Sequence, residues 1–322
     1  MIKNLIRNKF PLFFRTLKSI KGQDYRFLIG LPRISQREYN KKIHALDSGN
    51  ELISEALKAD HPFMLCRLGS AELTVILNYL YIKTKKINYW DIEKINQGLF
   101  RENAVFPTNE TTLKQFAELY ISCMPAIDSL AVWYNYGEHS LHKAYFKEAS
   151  LIPIEALEPF RFEEPWSNLL KGKKVLVVHP FANSIKTQYE KRGSLFKNNK
   201  VLPLFDLITY KPFNSYTDII PSNVTWFDIL EKMKADLACL DFDIALIAAG
   251  PFGLPLAAFV KGMGKKAIHI GGALQLLFGI KGARWEERNE FVGFMNEFWI
   301  RPGENETPSL KVKNNIDNSS YW

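Results

Sequence analysis

The chain has 322 residues, with 42 Lys or Arg against 34 Asp or Glu, a formal charge of +8. A hydrophobic fraction of 47% beside 24% charged residues excludes a disordered or collagen-like chain and supplies a sizeable core, in one large α/β domain or two smaller ones. The positive balance suits an anionic partner such as nucleotide phosphates or anionic lipid, and no RNA- or DNA-binding motif accompanies it, so nucleic acid is set aside.

Along residues 1–22, Ile2, Leu5, Ile6, Phe10, Phe13, Phe14, Leu17 and Ile20 recur at near-helical spacing. Lys3, Arg7, Lys9, Arg15, Lys18 and Lys21 lie among them, and no acid occurs before Asp24. The apolar stretch is too short, and too broken by charge and Pro11, for a signal peptide. A basic amphipathic segment of this kind suits an anchor on a membrane surface; a helix packed on the domain or a partner interface is the alternative. No uninterrupted apolar run is long enough to span a bilayer. The three cysteines, Cys66, Cys123 and Cys239, are odd in number and form no CxxC, which reads as buried thiols in a reducing cytosol.

Residues 35–60 read as one or two polar helices. An apolar strand at 62–67 follows and ends in the turn Cys66-Arg67-Leu68-Gly69-Ser70-Ala71-Glu72. Helical patterns run over 71–83, 90–99 and 110–124, and the next strand is 130–134. Residues 135–172, punctuated by Pro153, Pro159 and Pro165, read as a mixed stretch, a lid or the acceptor side of a cleft. The second half alternates regularly. A strand at 174–178 leads to a helix at 183–192, and a strand at 243–248 to a Gly-rich turn and a helix at 254–263. A strand at 266–270 then leads to a helix at 273–278. The Asn-, Glu-, Ser- and Lys-rich stretch at 303–322 reads as a polar tail, poorly ordered at its end. Continuous apolar strands alternating with helices predict an α/β domain over 23–302. Its sheet is mostly parallel and Rossmann-like, with helices on both faces.

A parallel sheet brings its strand-to-helix loops to one edge, where open α/β sheets bind ligands. The candidates at that edge are Arg67, Gly69, Ser70 and Glu72 after the first strand, and His179, Asn183, Ser184 and Lys186 around the start of the helix at 183–192. Gly250, Pro251, Phe252 and Gly253 follow the strand at 243–248, and His269, Gly271 and Gly272 follow the last strand. Free N–H groups at helix starts and Gly turns hold phosphate. Several such loops along one edge would make a nucleotide diphosphate site. There is no GxGxxG fingerprint, no Walker A loop and no GxSxG elbow, which removes support for NAD enzymes, P-loop kinases and Ser hydrolases of that type. Asp241-Phe242-Asp243 imitates a metal-binding DxD but precedes its strand, so it belongs to the opposite, solvated edge. His139 and His142 share a helical spacing with only Glu138 beside them, which reads as surface or lid residues rather than metal ligands.

With these loops in place, the chain resembles the GT-D class of bacterial glycosyltransferases, Rossmann-like nucleotide-sugar enzymes of cell-surface glycan assembly. The resemblance rests on Arg67-x-Gly69-x-x-Glu72, on the segment from His179 to Ile185, and on Gly250-Pro251-Phe252-Gly253 through Lys266-Ala267-Ile268-His269-Ile270-Gly271-Gly272. It covers about residues 60–285. It implies transfer of a sugar from a nucleotide diphosphate sugar, most simply a UDP-sugar, to a hydroxyl of a capsular or other cell-surface glycan precursor. A lipid-linked acceptor would place the enzyme in the cytoplasm or at the inner face of the plasma membrane. Glu72 is then the general base or the residue that holds the sugar, and Arg67 orients Glu72 or pairs with phosphate. The class carries Asp-x-Glu in this turn, tied to a metal such as Mn2+ or Mg2+. Here Ser70 stands in place of the Asp, so Glu72 is the one ligand carried over. Arg67, Lys186, Lys191 or Arg192 could supply the missing counter-charge. Two other readings stay open: a pyruvyl- or phosphotransferase acting on surface polysaccharide, and a non-catalytic nucleotide-sugar-binding or scaffold protein. An Arg67–Glu72 ion pair that merely clamps the turn is the structural alternative.

Overall fold

The computed structural model describes residues 36–85, 104–309 and 321–322. The basic segment 1–22 and the helix expected at 90–99 lie outside the described residues.

Among the described residues, seven strands form one sheet: β1 (Phe63–Cys66), β2 (Ser129–Val132), β3 (Ser150–Pro153), β4 (Lys174–Val178), β5 (Asp206–Tyr210), β6 (Ile244–Ile247) and β7 (Lys266–His269). Their order is β3-β2-β1-β7-β6-β4-β5, and every neighbouring pair is parallel. The helices of eight residues or more are α1 (Leu46–Lys58), α2 (Ser70–Lys85), α3 (Glu110–Cys123), α4 (Glu138–Tyr145), α5 (Ala182–Glu190), α6 (Trp226–Ala238) and α7 (Gly253–Gly262).

The central strands are apolar apart from their ends, such as Lys174, Lys266 and His269, because both faces of the sheet are covered. Successive side chains point to opposite faces. Met64, Cys66, Leu176, Val178, Ala245 and Ile247 join one core cluster with residues of α2, α3, α6 and α7. Phe63, Leu65, Val175, Val177, Ile244 and Leu246 join the other, with residues of α1 and α5 and the segment around Leu274 to Trp299. Each buried Leu, Ile or Val contributes about 1.5–3 kcal/mol of transfer free energy, so these strands hold the rigid frame that carries the loops.

Where structure and sequence reading differ, the difference lies at the edges. The stretch 135–172, read as a lid or acceptor segment, instead supplies α4, the edge strand β3 and three 3-10 turns, and Trp166 there is fully buried. Strand β5 was not expected; as an edge strand it is half-buried and mixes polar with apolar residues, Asp-Leu-Ile-Thr-Tyr. Strand β2 stops at Val132, because Tyr134 takes φ +57 and turns the chain away. Among the tail's described residues, Glu306 and Trp322 are buried, so the tail packs back onto the domain. The Asp241–Asp243 pair does lie at the amino edge. Asp241 pairs with the Lys174 ammonium, and Asp243 accepts the Lys174 backbone N–H at 2.8 Å. Of the two histidines read as surface or lid residues, His139 is half-buried and His142 is not at the surface. His142 is buried, its Nε2 is 3.3 Å from the Ala149 carbonyl, and both rings pack on Tyr39.

Candidate functional site

The carboxyl ends of β1, β2, β4, β5, β6 and β7 open into one cleft of about 420 Å3. Along it, in sheet order, stand Trp133 from the β2 loop, Arg67 to Glu72 from the β1 loop, Gly271 and Gly272 after β7, Gly250 to Phe252 after β6, His179 to Phe181 after β4, and Phe213 to Tyr216 after β5. Tyr321 and Trp322 close one wall. A second concavity of about 590 Å3 lies along α1, lined by Asp47, Glu51, Glu55 and Glu164 among others. It is away from the strand ends, and surface carboxylates dominate it.

The β1 turn is built around missing side chains. A Cβ at Gly69 would stand 2.0 Å from the Glu72 carboxylate, so glycine is what lets that carboxylate fold back over the turn. A Cβ at Gly271, where φ is +74, would stand 2.3 Å from Nε of Arg67. The guanidinium of Arg67 therefore lies against the β7 turn, with its other face 4.4 Å from the Trp133 ring centroid. Such a cation–π contact contributes about 0.5–2 kcal/mol. Arg67 Nε is buried without a hydrogen-bond partner. Among the described residues no carboxylate pairs with Arg67 within 4.0 Å, so the clamping ion pair with Glu72 does not form. The two groups still act on each other through space. Burial raises the Glu72 pKa, while a hydrogen bond from its own backbone N–H and the charge of Arg67 pull it back. Burial lowers that of Arg67, which remains cationic at neutral pH.

The loop that presents Trp133 is held from below. Glu138, 1% exposed, accepts the N–H groups of Trp133 at 3.1 Å and Tyr134 at 3.3 Å and faces the Tyr39 hydroxyl at 3.4 Å. Burial pushes its pKa up to about 8. Asn135 Nδ2 donates to the Leu68 carbonyl at 2.7 Å, tying this loop to the β1 turn. Opposite, the Tyr120 hydroxyl donates to the Pro251 carbonyl at 2.6 Å, and Phe252 stacks on Trp226 at 4.6 Å. His179 Nδ1 accepts the Phe181 N–H at 2.9 Å, which leaves the ring proton on Nε2. Burial lowers the His179 pKa to about 3, so it stays neutral.

Ten of the candidate residues therefore share one cleft: Arg67, Gly69, Ser70, Glu72, His179, Gly250, Pro251, Phe252, Gly271 and Gly272. Seven do not line it, counting Lys191 and Arg192. His269 and Gly253 pack against each other beneath its floor, since a Cβ at 253 would stand 2.2 Å from His269 Nε2. Lys186 is exposed, as is Lys191, and Arg192 lies over the Tyr189 ring at 5.5 Å. The start of α5 is already filled. Glu306 accepts the Asn183 N–H at 2.8 Å and the Ser184 N–H at 3.1 Å, and it also takes the Ser184 hydroxyl. The protein's own carboxylate thus sits where the sequence reading placed a phosphate.

Sequence reasoning missed Trp133, Glu138, Glu306 and Tyr321. Glu306 is more than 100 positions from its partners, and no local pattern announces it. Trp133 was legible only as part of a strand.

No protein-family model and no curated protein matches this chain. A solved structure described as the selenomethionine-substituted structure of domain of unknown function 1792 (DUF1792) is similar at 13% identity and a TM-score of 0.38. The match covers 72% of this chain and 78% of that one. A likeness at that score carries no information about chemistry here.

Proposed function

We propose that the chain is a glycosyltransferase that takes a nucleotide diphosphate sugar, most simply a UDP-sugar, and transfers the sugar to a hydroxyl of a cell-surface glycan precursor. One observation carries the reading: a partly buried carboxylate, Glu72, and a carboxylate-free guanidinium, Arg67, face the same cleft at the carboxyl edge of a parallel sheet. That edge is where such folds bind nucleotides.

In the proposed step the acceptor O–H gives its proton to Glu72 while its oxygen forms a bond to the anomeric carbon. The bond from that carbon to the diphosphate oxygen breaks, and the electron pair leaves on the diphosphate. A base whose pKa is raised by burial accepts the proton better than an ordinary surface carboxylate. Arg67 offsets the charge that gathers on the leaving group. His179 offers a neutral Nε2–H donor, and the Gly250 turn, at φ +52 with nothing within 4 Å of where a Cβ would stand, leaves room for backbone to approach the ligand closely.

For a lipid-linked acceptor, residues 1–22 would hold the enzyme at the cytoplasmic membrane face. Among the described residues no helix is long and apolar enough to cross a membrane. Deleting 1–22 should remove binding to anionic liposomes, and unchanged binding would reject the anchor.

The test of function is a panel of nucleoside diphosphate sugars with glycan acceptors, read as nucleotide release. Glu72→Gln should lower turnover by roughly 100-fold or more with donor binding retained. Wild-type turnover by that variant would sink the assignment.

A further inference from the structure

The GT-D class ties a divalent cation to this turn, and the donor set in the cleft does not fit one. A hard cation takes about six or more oxygen ligands and usually more than one carboxylate. Among the described residues lining the cleft, Glu72 is the one carboxylate. Ser70, where the class has an Asp, offers a neutral hydroxyl. The cleft imidazole, His179, uses its Nδ1 lone pair on the Phe181 N–H and so presents a proton instead of a ligand atom. Among the described residues, no group of three or more His, Cys, Asp or Glu could hold a metal ion.

What stands beside Glu72 instead is a fixed positive charge. The Arg67 guanidinium is wedged between the Trp133 ring and the Cβ-free Gly271 turn, with Nε buried and unpartnered. The face of Trp133 attracts a cation but cannot neutralise it. A cation held in place, without a paired carboxylate, in a cleft walled by Gly turns is a ready partner for an anion. Guanidinium forks match phosphate oxygens in geometry as well as charge. A divalent ion brought to Glu72 would have to sit against that charge.

We infer that the diphosphate of the ligand is held by Arg67 in place of a divalent cation, so that diphosphate binding needs no metal. The diphosphate as ligand rests on the glycosyl-transfer reading; the charge arrangement does not.

The experiment titrates inorganic pyrophosphate and UDP into the full chain, with EDTA and then with Mn2+, and separately measures Mn2+ binding by electron paramagnetic resonance without nucleotide. Pyrophosphate affinity should be the same within about twofold in both conditions. It should fall about tenfold or more in Arg67→Ala, because a hydrogen bond to a charged group is lost. Arg67→Lys, which keeps the charge and loses the fork, should fall between the two, and circular dichroism confirms that each variant is folded. The inference is overturned if pyrophosphate binds only with Mn2+, if it binds in neither condition, or if Mn2+ binds stoichiometrically and is lost in Glu72→Gln. Metal-free pyrophosphate binding without transfer from any donor would sink the glycosyltransferase reading and leave this inference standing.

Discussion

Replacing Gly271 with Ala tests whether the β7 turn really positions the cleft cation. Two costs follow from the structure. The first is local: at φ +74 a side chain enters the left-handed region, at about 1–2 kcal/mol. The second is steric. The new Cβ would stand 2.3 Å from Arg67 Nε, 2.5 Å from Cζ and 2.6 Å from Nη2, closer than any of these atoms tolerates. The guanidinium must leave its place and give up the Trp133 face, a loss of about 1 kcal/mol. Together these predict a destabilisation of about 2–3 kcal/mol, a fall in Tm of roughly 5 °C, and pyrophosphate binding weaker by about tenfold or more. Gly264→Ala separates the two costs. Its φ is +80, nothing lies within 4 Å of its Cβ, and it sits at the opposite edge of the sheet. It should show the backbone cost alone, with pyrophosphate binding unchanged. The assay is paired: denaturant unfolding for stability and calorimetric titration of pyrophosphate for the site. Wild-type pyrophosphate affinity in a folded Gly271→Ala protein would refute the placement of Arg67 against this turn.

Two further outcomes are expected. Glu138 has a folded pKa of about 8, above the ordinary carboxylate value, so folding favours its protonated form. Its contribution is fully present below about pH 4.5 and is lost as pH rises towards about 8. Denaturant unfolding from pH 5 to 8 should therefore show wild type losing stability relative to Glu138→Gln, and parallel pH profiles would refute the burial of a titrating carboxylate under Trp133. Glu306→Ala removes the acceptor of two backbone N–H groups and the Ser184 hydroxyl at the start of α5, and should cost about 2–3 kcal/mol. Glu306→Gln should recover part of that loss, and an unaltered unfolding midpoint for the Ala variant would show that the contact is not formed.

The order of structure along this chain was legible because it is written locally. Alternate residues of Phe63-Met64-Leu65-Cys66 face the two core clusters, and the strand is followed at once by a Gly turn and a carboxylate in the first turn of α2. Strand, turn and helix start are all short-range choices of backbone conformation, so a single segment declares them. The edge strands β3 and β5 were harder to read, since a strand with one neighbour need not be apolar throughout.

The parallel α/β class was written in the sequence, as was the position of the Arg67-to-Glu72 turn at the carboxyl end of β1. Only the tertiary structure decided what those residues meet. It placed Trp133 under the Arg67 guanidinium and Glu138 beneath Trp133, buried His269 under the floor, and filled the start of α5 with Glu306. The physical reason is range. Propensity and periodicity act over a few residues, whereas desolvation and charge pairing depend on which distant segments the sheet order brings together. In β3-β2-β1-β7-β6-β4-β5, β1 lies between β2 and β7, so residue 67 is packed between residues 133 and 271.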